Sequence, residues 1–326
     1  CIFYVSNYIR ASTIKTLARI GNHMKEVPVI DISQDLHVVA EMVNEACIKW
    51  GFFLVSGHGV PKHLIDRMFS VSYEFFNLSE EEKLQCDSTG CKGGRGYFSV
   101  GKKALARTYG DLNAPSDQKE TFVSGAEPID GDPYYFTPEA EGHFAENIWP
   151  TYPSDMKQVW MMYREACQDV ADKLLNIMEC SLKADKPIST LIVHHYPVQK
   201  TPPEGIRAGA HTDFGTLTLL MTEDSPGGLQ VMGMDNEWHD IQPMPDAFIV
   251  NIGDLMERWT NDIWRSTLHR VVNPPVNTGS EARRMSVVYF HTPNYDTEVT
   301  CSKYPPITAG AHHKEKINRN NSVRKI

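Results

Sequence analysis

From Leu191 to Phe290 the chain breaks into short apolar runs separated by turns: "TLIVHHY", "TLTLLM", "GGLQVM", "EWHDI", "AFIVNIG", "TLHRVV" and "MSVVYF". Seven such runs at spacings near ten residues are too short for stable helices. They read as strands of an antiparallel sandwich or barrel.

The preceding half is written differently. "VPVIDIS" (27–33) has the alternation of a short strand, and Leu36 to Trp50 carries Val39, Met42, Val43 and Ala46 at helical spacing. "GFFLVSGHGVP" reads as a buried strand ending in a turn. Pro61 then opens a helix to about Asn77, and Ser79 with Glu82 forms a capping-box pattern. Residues 87–153 lack periodicity and read mostly as loop. A long helix follows over Ser154 to Leu182, with an apolar stripe of Val159, Met162, Tyr163, Ala166, Val170, Leu174, Leu175 and Met178. That stripe is the pattern of core packing rather than of a cofactor site. No Pro- or Ser-rich linker and no internal repeat interrupts the sequence. The expectation is a mainly β fold with flanking helices in one domain, 27–300. Residues 27–185 would form its helix-rich part, 186–300 its strand-rich core, and 301–326 a polar tail with loose, basic last residues.

With 326 residues and a net charge of −9, the chain lacks the basic excess of a general nucleic-acid binder. No apolar run reaches the roughly 20 residues of a membrane span. The seven cysteines are scattered without CxxC pairs, which suits a reducing compartment and offers no thiolate zinc site. A soluble, cytoplasmic monomer acting on a small molecule is expected. Residues 1–26 stand apart. They hold Arg10, Lys15, Arg19 and Lys25 among Ser and Thr, as in part of a transit peptide, which would make the address organellar. An upstream extension or expression remnant ahead of Met24 accounts for them equally well.

In "AGAHTDFGTLTLLM", His211 and Asp213 sit two apart, just ahead of an apolar run. On a strand such a pair shares one face. His269 in "STLHRVVNP", 58 positions further on, could complete a set of two imidazoles and one carboxylate, the ligands of non-haem Fe(II) oxygenases. A zinc hydrolase could use the same three, and isolated histidines are commonly surface or core residues. "RRMSVVYF" places Arg284 and Ser286 two apart on the next strand. A guanidinium beside a hydroxyl, both facing inward, suits the far carboxylate of a small diacid. The alternative is a solvent-facing arginine on an edge strand.

These motifs occur in an ordered set: "PVIDIS", "GFFLVSGHGVP", "RGYFSVG", "DQKETFVSG", "HHYP", "GAHTDFGTLTLL", "GGLQV", "VNIGDLMERWTND", "STLHRVVNP" and "RMSVVYFHTPN". Over Val27 to Cys301 the chain thereby resembles the 2-oxoglutarate- and Fe(II)-dependent dioxygenases of the isopenicillin-N-synthase-like group. The resemblance implies a double-stranded β-helix, or jelly roll. It implies His211, Asp213 and His269 as iron ligands, and Arg284 and Ser286 as the clamp on the distal carboxylate of 2-oxoglutarate. Tyr196 matches a tyrosine that also contacts this co-substrate, and His194 falls where plant members often have asparagine. Iron, 2-oxoglutarate and O2 would together oxidise a C–H bond by hydroxylation, desaturation or ring closure, releasing succinate and CO2.

Three places depart from the family pattern. "VNTGSEA" lengthens the gap between His269 and Arg284, with Gly279 suited to a turn; Ile192 replaces a frequent arginine; and "GKKAL" (101–105) carries two lysines. Aromatic residues in stretches that wall the pocket in this family are Tyr97, Phe98, Phe214, Trp259 and Phe290. A basic loop holding Arg95, Lys102, Lys103 and Arg107 would steer in a carboxylate-bearing, amino-acid-derived substrate, or would simply be a solvated surface. Two rival readings stand beside this one: an iron oxidase of the same family that needs no 2-oxoglutarate, and a non-catalytic jelly-roll binding protein.

Overall fold

The computed structural model describes residues 26–88, 93–102, 116–180, 184–198, 206–223, 228–273 and 283–323. The 1–25 extension, Lys103, Arg107 and the "VNTGSEA" insertion with its Gly279 turn lie outside the described residues.

The elements run in the order β1 (Val29–Asp31), α1 (Leu36–Lys49), β2 (Phe52–Ser56), α2 (Lys62–Phe76), α3 (Glu80–Leu84), β3 (Gly96–Phe98) and β4 (Glu120–Gly125). After a 3-10 turn (Pro133–Phe136) come α4 (Met156–Ile177), β5 (Thr190–Tyr196), β6 (Ala208–His211), β7 (Leu217–Thr222), β8 (Leu229–Met232), β9 (Trp238–Asp240) and β10 (Phe248–Ile252). The chain ends with α5 (Asp254–Trp259), β11 (His269–Val271), β12 (Arg284–His291), β13 (Glu298–Val299), β14 (Ile307–Thr308) and α6 (Ala309–Val323). Among the described residues no helix is long and apolar enough to cross a membrane.

Two sheets face each other. The larger has eight strands in the order β1-β2-β10-β7-β12-β5-β4-β3, the smaller four in the order β6-β11-β8-β9. Strand alternation assigns each side chain to one of two environments. On the outer face of the large sheet, Leu191, Val193, Leu217, Leu219, Met221, Val250, Met285, Val287 and Tyr289 pack into the main core with Trp160, Tyr163 and Val170 of α4. Their neighbours at odd steps, Thr190, Ile192, His194, Thr218, Leu220, Asn251, Ser286, Val288 and Phe290, line the space between the sheets. The periodicity that makes these strands therefore also makes the cavity.

The structure adds to three expectations. The described residues of 87–153 are mostly loop, as their missing periodicity predicts, but they also hold β4, which lies between β5 and β3 with all six of its residues buried. Its polar members hide the strand signal because tertiary partners satisfy them. Glu120 accepts from Lys83 Nζ at 2.8 Å and from His195 Nδ1 at 2.7 Å. Secondly, the helix-rich part also contributes to the strand core, since β1 to β4 supply half of the large sheet. Thirdly, the segment read as a polar tail carries α6, with Ala309 and His312 buried. Its apolar content is low, so its helix is held by docking rather than by an apolar stripe.

Candidate metal centre and co-substrate cavity

His211 ends β6 and His269 begins β11, and the two residues are direct cross-strand partners. This pairing brings together side chains far apart in sequence, with ring centroids 4.3 Å apart. Each ring is oriented from behind. His211 Nδ1 donates to the Gly209 carbonyl at 2.7 Å and His269 Nδ1 to the Thr267 carbonyl at 3.0 Å. A carbonyl can only accept, so both Nδ1 atoms carry the proton and both Nε2 lone pairs are left for a metal.

Asp213 arrives by another route than the sequence suggests. β6 stops at His211, so Asp213 belongs to the bend after the strand, and strand alternation does not aim it. The bend is fixed against the start of α5: Asp254 N–H donates to the Asp213 carbonyl at 2.7 Å, and Leu255 N–H to the Gly215 carbonyl at 3.1 Å. A Cβ on Gly215 would lie 2.3 Å from the His291 carbonyl oxygen, so only glycine fits at this crossing. Asp213 Oδ2 accepts from Thr218 Oγ1 at 2.6 Å and from Asn251 Nδ2 at 2.8 Å. Its Oδ1 lies 3.8 Å from His211 Nε2 and 3.7 Å from His269 Nε2. The three ligand atoms lie within 4.8 Å of one another.

The electrostatics suit a cation. Burial, then the neighbouring His269 imidazole, pushes His211 below the ordinary imidazole range, which keeps it neutral. Burial alone would raise the Asp213 carboxyl. The two imidazoles and the bonds from Thr218 and Asn251 outweigh it and hold the group ionised. Two imidazole nitrogens and one carboxylate oxygen, all on one side of an open cavity, fit a ferrous ion with coordination positions to spare. We expect Asn251→Ala to weaken iron binding by about 10- to 100-fold, the usual cost of losing a partner that orients a ligand. Competition with a chromogenic chelator measures this, and an unchanged affinity would make Asn251 a bystander.

The cavity encloses about 340 Å³. Arg284 and Ser286 both line it, and they pair across β5 with Tyr196 and His194 respectively. The Arg284 guanidinium is buried and stands 5.8 Å from the Tyr196 ring centroid. His194 lines the cavity, and its Nδ1 is 3.1 Å from Thr121 Oγ1. An inward arginine and serine on one face of β12 thus replace the solvent-facing alternative.

The expected pocket aromatics divide. Phe214 and Phe290 line the cavity. Tyr97 does not reach it: the ring is in the core behind the sheet, with its hydroxyl donating to Glu120. Trp259 packs between the main core and a small cluster of Leu255, Val299 and Ala309. Phe98 is half-buried at the end of β3. Arg95 is not a surface residue of a basic loop. It is buried, with Nη2 donating to the His143 carbonyl at 3.2 Å, while Lys102 is exposed.

The structure adds residues that sequence reasoning missed. Thr218 and Asn251 orient Asp213, and their signal was a polar residue inside an apolar run. Lys119, in the quoted "DQKETFVSG", also lines the cavity. So do His313 and Ile317 of α6, spaced i, i+4 on one helical face.

A jelly roll with two histidines and one aspartate at the mouth of a strand pair defines a non-haem iron oxygenase. The sequence matches the family model for the N-terminal region of non-haem dioxygenases in morphine synthesis over residues 27–152, and that of the 2OG-Fe(II) oxygenase superfamily over 187–293. A homoarginine-6-hydroxylase of Oryza sativa subsp. japonica is 31% identical over 339 residues, covering 92% of this chain and 99% of that protein. The 2-oxoglutarate-Fe(II) type oxidoreductase hxnY of Emericella nidulans is 32% identical over 296 residues, 83% of this chain and 81% of that protein. A full-length Neurospora crassa protein, crystallised in complex with alpha-KG, which is 2-oxoglutarate, matches with a TM-score of 0.75 and 27% identity, over 93% of this chain and 98% of that chain. The chain belongs to the 2OG-Fe(II) oxygenase superfamily. It is an oxygenase that uses iron and 2-oxoglutarate to oxidise a small molecule.

Proposed function

We propose that this oxygenase acts on an aliphatic C–H bond of an amino-acid-derived metabolite, with His211, Asp213 and His269 as iron ligands and Arg284 with Ser286 as the co-substrate clamp. The observation that carries the proposal is the make-up of the cavity next to the three ligands. Phe214, Phe290, Ile188 and Ile317 offer apolar walls for a carbon chain, and Thr292 and His313 add polar points for its ends. Homoarginine hydroxylases among the relatives favour the same substrate class.

When bound, iron would activate O2, the oxidant, while 2-oxoglutarate would supply two of the electrons through its decarboxylation to succinate and CO2. The chain's own residues bind and orient. Thr218 and Asn251 keep the Asp213 carboxylate turned toward the two imidazoles. Arg284 and Ser286 would hold one end of the diacid, and two-point attachment of this kind carries an entropic advantage. Phe214 and Gly215, next to Asp213 in the chain, line the cavity where a substrate would be held.

The test begins with anaerobic titration of the iron-loaded protein with 2-oxoglutarate, which should develop a weak visible charge-transfer band. Oxygen uptake and succinate release are then measured with L-homoarginine and a set of other amino-acid derivatives. Stimulation by at least one of them is expected. Stimulation by phenolic ring compounds alone would replace this substrate class. Turnover without succinate would favour the iron oxidase reading.

A further inference from the structure

We propose that Lys119 is a second cationic anchor for 2-oxoglutarate, holding the carboxylate at the end remote from Arg284. The inference rests on the co-substrate reading above, and it concerns a residue outside the ligand set and its clamp.

Lys119 immediately precedes β4. Glu120 pairs with His195 and points to the far side of the sheet, into the bonds with Lys83 and His195. Alternation therefore turns Lys119 to the cavity face, beside Tyr196, and Tyr196 in turn pairs with Arg284. Arg284, Tyr196 and Lys119 stand on one row across three adjacent strands. Two strand spacings put the backbones of the two cations about 10 Å apart. Long side chains closing from both ends of that gap can hold both carboxylates of a short diacid.

The head of Lys119 is pinned on the metal side. Its Nζ lies 3.3 Å from Asp117 Oδ2. Asp117 Oδ1 accepts the Gly209 N–H at 3.2 Å, and the Gly209 carbonyl accepts from His211 Nδ1 at 2.7 Å. The ammonium is thus one short relay behind an iron ligand, and its side chain is only 2% exposed. An ammonium carries three N–H donors, so contact with one carboxylate leaves capacity for a ligand oxygen. A buried cation gains from each further acceptor, and the inner carboxylate of the diacid would supply one.

Three ligands separate the two anchors. 2-Oxoglutarate has both carboxylates, 2-oxopentanoate lacks the distal one, and levulinate lacks the one next to the keto group. Their affinities are measured on the iron-loaded full chain without oxygen, by the charge-transfer band or by displacement of 2-oxoglutarate. Lys119→Met should weaken 2-oxoglutarate and 2-oxopentanoate by a similar factor, about tenfold or more for a lost charged hydrogen bond, and leave levulinate unchanged. Lys119→Arg should keep most of the affinity. Arg284→Leu should give the mirror pattern, sparing 2-oxopentanoate.

Because Lys119→Met removes the ammonium from Asp117 Oδ2, the double variant Asp117→Asn, Lys119→Met is measured alongside it, and the same ligand pattern is expected. Unchanged 2-oxoglutarate affinity in either variant overturns the proposal. So does an equal loss for all three ligands, the sign of a purely structural role. Failure of the wild-type protein to bind 2-oxoglutarate would instead overturn the co-substrate reading itself, whatever Lys119 does.

Discussion

Replacing Asp213 or His211 with alanine should abolish succinate release and oxygen uptake while leaving a folded protein. Each variant removes one of three donors, and no other carboxylate or imidazole belongs to the cluster among the described residues. Asp213→Ala also strips the Thr218 hydroxyl and the Asn251 amide of their acceptor, at a cost of about 1–3 kcal/mol each where no water replaces it. The bend should survive, because the Asp254 N–H bonds the Asp213 backbone carbonyl rather than the side chain. Iron content after dialysis, succinate yield and thermal unfolding give the three readouts. Full turnover with one bound iron in either variant would remove these residues from the ligand set.

The second large effect is at Arg284. Arg284→Leu keeps much of the apolar stem and deletes the guanidinium. A charged hydrogen bond of about 1.5–3 kcal/mol lost from the distal carboxylate corresponds to a rise of roughly 10- to 150-fold in the 2-oxoglutarate requirement. Burial depresses the guanidinium, with the nearby Tyr196 and Glu223 acting the other way. Arginine nevertheless keeps its proton in proteins, so the clamp stays cationic at every working pH. Turnover at saturating 2-oxoglutarate should fall much less than the apparent affinity. An unchanged 2-oxoglutarate titration would assign Arg284 to something else.

Much of the candidate site is legible in local pattern. His269 opens an apolar run, and Arg284 and Ser286 keep the two-residue period of a strand facing a cavity. The same period decides which of Val287 and Val288 packs in the core and which lines the space between the sheets. Asp213 joins the cluster for a different reason than its spacing suggests: a bend held by α5 and the Gly215 crossing aims it, and strand alternation does not. Tyr97 shows the opposite failure. The family resemblance implies a place in the pocket wall, but alternation on β3 and the buried Glu120 acceptor draw the ring into the core. Arg95 reads as solvated because a charge in a Gly-rich stretch looks so until its carbonyl partner is known.

By itself, the sequence determined most of the strands between Leu191 and Phe290, which side chains can serve as iron donors, and the chemistry a diacid clamp requires. Those follow from side-chain type and from periods of two and 3.6 residues, which are local quantities. Only the tertiary structure decided that His211 faces His269, that β4 and its polar residues belong to the main sheet, and that α6 reaches the cavity. Each of these depends on strand register or docking, where partners from distant parts of the chain satisfy buried polar groups. No local pattern encodes such pairings.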